Sequence, residues 1–138
     1  MRVLIDTPIW SLALRRKQTD LNSREQRVTI TLRELIREGR AELVGPVCQE
    51  LLSGMRAQAD FLRLRDQLRA FEQTRLDAPD YEEAAHVNNQ CRAQGISGSA
   101  IDFLICATAI RRAWQIFTTD RDFAHYAKVV PLNLYHVS

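Results

Sequence analysis

From residue 100 to residue 110 the chain reads AIDFLICATAI, apolar at nearly every position, with Asp102 as its one charge. A run that long and that apolar predicts a helix buried on most of its sides. Shorter β-branched or apolar runs at 3–5, 41–44 and 114–118 predict buried strands, and 74–76 and 129–134 predict two more. Between them the period changes. Phe61, Leu64, Leu68 and Phe71 recur at helical spacing within 55–73. Thr7-Pro8 reads as an N-cap followed by proline at the first helical position, opening a helix to about Arg15. After a polar loop at 17–22, Ser23-x-x-Gln26 reads as a capping box for a helix that ends near Gly39. Gly45-Pro46 opens a short helix carrying Glu50, Asp80-x-x-Glu83 caps a helix to about Ala93, and another short helix spans about 121–127. Strands alternating with helices predict an α/β fold, a three-layer α/β/α sandwich around a central, mostly parallel sheet. No repeat, low-complexity tract or linker interrupts it, so residues 1–138 are expected to form a single domain.

The acids stand out against this pattern. Open parallel sheets place their sites at the carboxyl ends of strands. Asp6 directly follows the first predicted strand, and Asp120 lies just past the strand ending near Thr118. Asp102 falls in the first turn of the buried helix, and Glu50 on the helix after the second strand. Each has an ordinary structural reading as well. Asp6 could serve a helix N-terminus, Asp102 could cap with Ser99, Asp120 or Asp122 could cap the next helix, and Glu50 could be a solvated helix residue. Four such acids converging on one sheet edge would repel one another and call for a shared cation. Oxygen ligands without neighbouring cysteine or histidine favour Mg²⁺ or Mn²⁺ over zinc.

Composition narrows the classes. Nineteen Lys and Arg against seventeen Asp and Glu give a net charge of +2, too small to require a nucleic-acid partner. Only Lys17 and Lys128 are lysines, and the remaining basic residues are arginines, which suit bidentate phosphate contacts. Cys48, Cys91 and Cys106 are widely spaced with no CxxC, which argues against a disulfide framework and a zinc site and points to buried thiols in a reducing cytoplasm. The apolar run at residues 1–10 is short for a signal peptide, and no stretch reaches the roughly 18 apolar residues of a membrane span. His86, His125 and His136 show no ligand spacing.

Asp6-Thr7 after the first strand, Glu50 in Gln-Glu-Leu-Leu-Ser-Gly, Asp102 in IDFLICATA, and Thr118-x-Asp120-x-Asp122-Phe123 together resemble PIN domains. In size and motif spacing the chain is similar to the VapC-type toxins of bacterial toxin–antitoxin pairs, over essentially its whole length. That resemblance implies a Mg²⁺- or Mn²⁺-dependent endoribonuclease with Asp6, Glu50, Asp102 and Asp120 as its acidic quartet. Asp6, Asp102 and Asp120 would hold the metal, and Glu50 would bind it too or orient the attacking water. Thr118 or Thr119 would support Asp120 and the scissile phosphate, and Asp122 would cap or support. It also implies a homodimer, a cognate antitoxin that blocks the cleft, and an RNA substrate such as tRNA or rRNA.

The reaction so implied is hydrolysis of an RNA phosphodiester by in-line attack of water, leaving a 5′-phosphate and a 3′-hydroxyl. Arg15, Arg16, Arg111 and Arg112 could hold flanking phosphates or could simply be solvated. Two other classes compete. A PIN-like domain retained only for binding RNA or protein would not need the complete quartet. An Asp-phosphorylated signalling domain would want a second acid beside Asp6 and a lysine after a late strand, and Thr7 and Thr119 stand beside the strand-end acids instead. A phosphatase of the Asp-x-Asp type is excluded by Pro8.

Overall fold

The computed structural model describes residues 1–137. Strand β1 (Val3–Ile5) is wholly buried and forms the spine of a four-stranded sheet with β2 (Ala41–Val44), β3 (Gln73–Thr74) and β4 (Gln115–Phe117). The spatial order is β3-β2-β1-β4, and every pairing is parallel, with Val3 opposite both Ala41 and Gln115. Helices α1 (Thr7–Leu14) and α2 (Ser23–Arg37) connect β1 to β2, and α3 (Gly45–Ser53) and α4 (Gln58–Leu68) connect β2 to β3. Helices α5 (Ala78–Ala93) and α6 (Ala100–Arg112) carry the chain back across the sheet to β4, after which α7 (Asp122–Tyr126) follows. Parallel crossovers are right-handed, so reversing the direction of travel along the sheet moves the connecting helices to its other face. The result is the three-layer α/β/α sandwich expected from the alternation.

The reversal also fixes where a site belongs. The chain leaves β1 toward β2 and β3, then returns to the far side of β1 at β4. A crevice opens at the carboxyl ends of the two strands flanking such a switch point. Here those strands are β1 and β4, and their ends lead into Asp6 and Thr118.

Packing explains the helix that dominates the sequence. Phe103 through Ala109 on α6 are all buried, and the one hydroxyl among them, Thr108 Oγ1, donates to the Leu104 carbonyl at 2.7 Å. The helix ends at Ala113 in the left-handed conformation (φ 58°). Trp10, Phe117, Phe123 and Tyr126 are the largest side chains of the core, and Trp10 packs edge-on to Phe71 with centroids 5.0 Å apart. The three cysteines are free and buried. Among the described residues no helix is long and apolar enough to cross a membrane.

Several local expectations shift. Asp6, not Thr7, caps α1, its Oδ1 accepting from the Thr7 N–H at 2.8 Å. Asn22 caps α2 in a reciprocal box with Glu25, one residue ahead of the Ser23–Gln26 pair. Both pairs satisfy the same spacing, and the amide wins by leaving Ser23 inside the first turn. The helical stripe at 55–73 condenses to α4 alone, and β3 starts at Gln73 rather than Thr74. Asp77, not Asp80, caps α5. The strand expected at 129–134 is reduced to a single parallel bridge between Ile116 and Leu134. Pro131 lacks the N–H that a continuous ladder would use.

Asp80 has a different task. It is fully buried, and both of its carboxylate oxygens are engaged. Arg112 donates to both oxygens (2.6 and 3.0 Å), Arg111 donates to Oδ1 at 2.6 Å, and the Asp77 N–H donates to Oδ2 at 3.0 Å. Arg112 also lies over the Trp114 ring, 5.5 Å from its centroid. Arg111 and Arg112 therefore tie α5 to α6 through Asp80.

Candidate active site

Asp6 leaves β1 at the switch point and is only 3% exposed. Its backbone N–H extends the sheet by donating to the Phe117 carbonyl at 2.9 Å, which fixes the side chain at the end of β1. Oδ1 is taken by the Thr7 N–H, and Oδ2 accepts from Thr118 Oγ1 at 2.7 Å. Thr118 Oγ1 in turn accepts from the Asp120 N–H at 2.9 Å, and Asp120 Oδ1 accepts from the Asp122 N–H at 2.9 Å. One threonine thus joins the acids that follow β1 and β4. Thr119 is exposed and makes no side-chain hydrogen bond among the described residues.

Asp102 comes from the first turn of α6, which Ser99 caps by accepting from the Asp102 N–H at 3.0 Å. The cap is made to the backbone N–H of Asp102, and its carboxylate reaches those of Asp120 and Asp122. Tyr126, fully buried on α7, donates its hydroxyl to Asp102 Oδ2 at 2.7 Å. The chain passes so close here that a Cβ at Gly98 would collide with that hydroxyl and lie 2.8 Å from the Phe103 ring. Tyr126 was not foreseen as a site residue. Its only advance signal was a tyrosine near the end of a helix that starts at Asp122.

The electrostatics are those of acids crowded without a counter-charge. Burial pushes the Asp6 carboxyl up to about 6 against the hydrogen bonds from Thr118 and Thr7, with Asp102 and Glu50 adding repulsion. Burial likewise raises Asp102, opposed by its bonds to Tyr126 and Ser99 and reinforced by Asp120 and Glu50. Burial and the Asp102 carboxylate raise the Tyr126 hydroxyl, which stays a proton donor. Glu50 is exposed on α3, and its carboxylate has no hydrogen-bond partner among the described residues.

Among the described residues, the carboxylates that can present oxygens within 4.8 Å of one another are those of Asp102, Asp120 and Asp122. Asp122 belongs to this group, and Asp6 stands behind it with both oxygens already accepting hydrogen bonds. The donor set suits a divalent cation: three hard carboxylates, no thiolate or imidazole, and net repulsion that such a charge would relieve. The Thr7 hydroxyl, buried beside Asp6 without a partner, leaves a further polar oxygen unsatisfied at this end of the sheet.

A model of the PIN domain matches residues 3–129. The chain belongs to the PIN-domain family. Among solved structures, FitAcB from Neisseria gonorrhoeae is similar over 97% of this chain and 96% of its own, with a TM-score of 0.75 at 23% identity. VapBC2 from Rickettsia felis, bound to a DNA fragment from their promoter, is similar over 98% of both chains (TM-score 0.73, 17% identity). DNA-bound VapBC from Salmonella typhimurium covers 98% of this chain and 97% of its own (TM-score 0.70, 13% identity). At these identities the likeness is one of fold. No protein of curated function matches the sequence.

Proposed function

We propose that this PIN domain is a Mg²⁺- or Mn²⁺-dependent endoribonuclease that acts as the toxin of a toxin–antitoxin pair in the cytoplasm. The observation that carries the reading is the acidic group at the β1–β4 switch point, where half-buried Asp102 meets exposed Asp120 and Asp122 in front of buried Asp6, with no ion pair to any of the four among the described residues. Asp102 and Asp120 would hold the metal, with Asp122 near enough to share it and Asp6 bracing the group through Thr118. A divalent ion held there would supply Lewis-acid stabilisation of the charge that develops on the phosphoryl oxygens.

The chain's own residues define the rest. Thr118 sets the spacing between Asp6 and Asp120 by donating to one and accepting from the backbone of the other. Tyr126 fixes the Asp102 rotamer so that Oδ1 is left for the ligand. Glu50, exposed and unbonded, is the carboxylate able to take a proton from the attacking water at an Oε atom. The 3′-oxygen leaves and takes up a proton from solvent, giving a 5′-phosphate and a 3′-hydroxyl.

The likeness to FitAcB and VapBC assemblies supports a cognate antitoxin as partner; the working form proposed with it is a homodimer. Purified protein should cleave tRNA or rRNA in Mn²⁺ or Mg²⁺ and stop in EDTA. Expression alone should arrest bacterial growth, and co-expression of the neighbouring upstream reading frame should relieve the arrest. Soluble, folded protein that neither cuts RNA with metal nor slows growth would overturn the reading.

A further inference from the structure

Resting on the nuclease reading, we propose that a cationic groove between α2 and the C-terminal segment holds the backbone of single-stranded RNA on one side of the scissile bond. The cavity is about 390 Å³, within the range of sites that hold a ligand of nucleotide size, roughly 300–1,000 Å³. Its wall includes Thr118, Thr119 and Asp120, so it runs directly into the acidic cleft. Arg24 and Arg27 line it from α2, Arg121 from the turn before α7, and His136 and Tyr135 from the C-terminal segment.

Three features point to phosphate rather than to a structural role. Arg24, Arg27 and Arg121 are exposed and make no ion pair or side-chain hydrogen bond among the described residues, whereas Arg111 and Arg112 are bound to Asp80. The nearest acid on α2, Glu25, is engaged with the Asn22 N–H at 3.0 Å and with Arg16 at 3.9 Å. Asp120, at the mouth, is the one carboxylate lining the groove among the described residues. An anionic strand would therefore be drawn along the arginines and held off the acids until a cation sits among them. The aromatic wall supplies the second element of single-strand recognition. Tyr135, half-buried and held against Phe117 with centroids 5.2 Å apart, and exposed His136 both line the groove, where an unpaired base would pack.

The hollow between α3, α5 and α6, the side of the site from which Glu50 and Asp102 come, carries no comparable charge. Gln49, Asn88 and exposed Tyr81 line it beside Pro46, Ile101 and Leu104, with no charged side chain among the described residues. Strand affinity is thus asymmetric about the scissile bond, and the groove is the half that carries it.

The test uses a fluorescent single-stranded oligoribonucleotide in EDTA, so that binding is read without cleavage. Arg24→Gln/Arg27→Gln is compared with Arg63→Gln/Arg69→Gln, an equal change of charge at exposed positions on and just after α4. We expect the groove pair to weaken binding about tenfold and to lower the salt dependence of binding by about 1.4 log units per log unit of salt, near 0.7 for each lost phosphate contact. The control pair should change affinity less than twofold. With Mn²⁺ the groove pair should lose about tenfold in kcat/KM, with KM carrying the change. If the wild type binds the strand and does not cut it, the nuclease reading fails while the groove is still decided by the binding arm. Equal binding by the two pairs, or no strand binding by the wild type, overturns the groove. So does a groove pair that binds RNA normally but no longer retains the co-expressed upstream gene product, since the surface would then belong to a protein partner.

Discussion

Asp80 and Asp6 are sealed from water to nearly the same degree, 0% and 3% exposed, yet their surroundings treat a negative charge in opposite ways. Around Asp80 the chain supplies its own counter-ions. Two guanidiniums and a backbone N–H meet the carboxylate, and the hydrogen bonds from Arg112, ahead of those from Asp77 and Arg111, hold it well below the usual carboxylate range. Around Asp6 the donors are a threonine hydroxyl and one N–H, and the nearby charges are further acids. Desolvation wins there and pushes the carboxyl up to about 6. Burial alone therefore does not mark a functional acid. What marks it is burial that the rest of the chain leaves uncompensated, because such a site is stabilised only by a proton or by a cation from outside.

Neutralising variants should separate the two regions most sharply. Asp6→Asn and Asp102→Asn should each lower RNA cleavage by on the order of 10³-fold, the scale of losing a preorganised electrostatic group, with the melting temperature in EDTA unchanged or higher. Cleavage by either variant within tenfold of wild type would show that its carboxylate is not used. Asp80→Asn should do the reverse. Leaving two guanidiniums facing a neutral amide between α5 and α6 should cost about 3 kcal/mol, or roughly 10 °C in melting temperature, while the folded fraction still cuts RNA. A melting temperature within 2 °C of wild type would show that the clamp is dispensable.

The pH dependence of metal-free stability should split in the same way. Asp6 has a raised pKa, so its contribution is complete below about 3.8 and is lost as pH rises through about 6, on the order of 3 kcal/mol for a shift of this size. Asp80 has a lowered pKa, so its contribution is complete above about 3.8 and is lost as pH falls below that. Melting temperature measured against pH in EDTA should therefore decline from about pH 4 to pH 7, and Asp6→Asn should flatten that decline without touching the acid limb. A decline as steep in the variant as in the wild type would place its origin elsewhere, since only the smaller share of Asp102, also raised by burial, should remain.

Tyr126→Phe should give the smallest effect. Loss of the hydroxyl frees the Asp102 rotamer, and groups behind a metal ligand typically matter by about 10- to 100-fold in affinity or activity. We expect the low end, about tenfold in Mn²⁺ affinity, together with about 1 kcal/mol of stability. An unchanged Mn²⁺ affinity would reduce the Tyr126–Asp102 bond to packing.

The two regions also differed in how far the sequence exposed them. Asp6, Asp102 and Asp120 were legible because strand ends and an acid on an apolar helix can be located from local pattern alone. Their convergence followed from the parallel order of the sheet. Asp80 was legible only as a cap, since its partners Arg111 and Arg112 lie 31 and 32 residues away and no local pattern joins them. Tyr126 was hidden for the same reason, 24 residues from Asp102. Asp122 read as a helix cap because its sharing of the acidic group depends on the turn that Thr118 and Asp120 hold in place. Cap positions slipped where two polar side chains offered the same spacing, by one residue at Asn22 and Ser23 and by three at Asp77 and Asp80. The strand expected after residue 129 had the right composition and failed at Pro131.

Calorimetric titration of Mn²⁺ into the wild type, Asp102→Asn and Asp80→Asn tests the contrast most directly. The account predicts saturable binding by the wild type, binding weakened at least tenfold in Asp102→Asn, and wild-type affinity in Asp80→Asn at a temperature where it remains folded. Equal Mn²⁺ binding by Asp102→Asn and the wild type would contradict it, because the uncompensated acids at the end of β1 and β4 would then not be the place where the protein takes its cation.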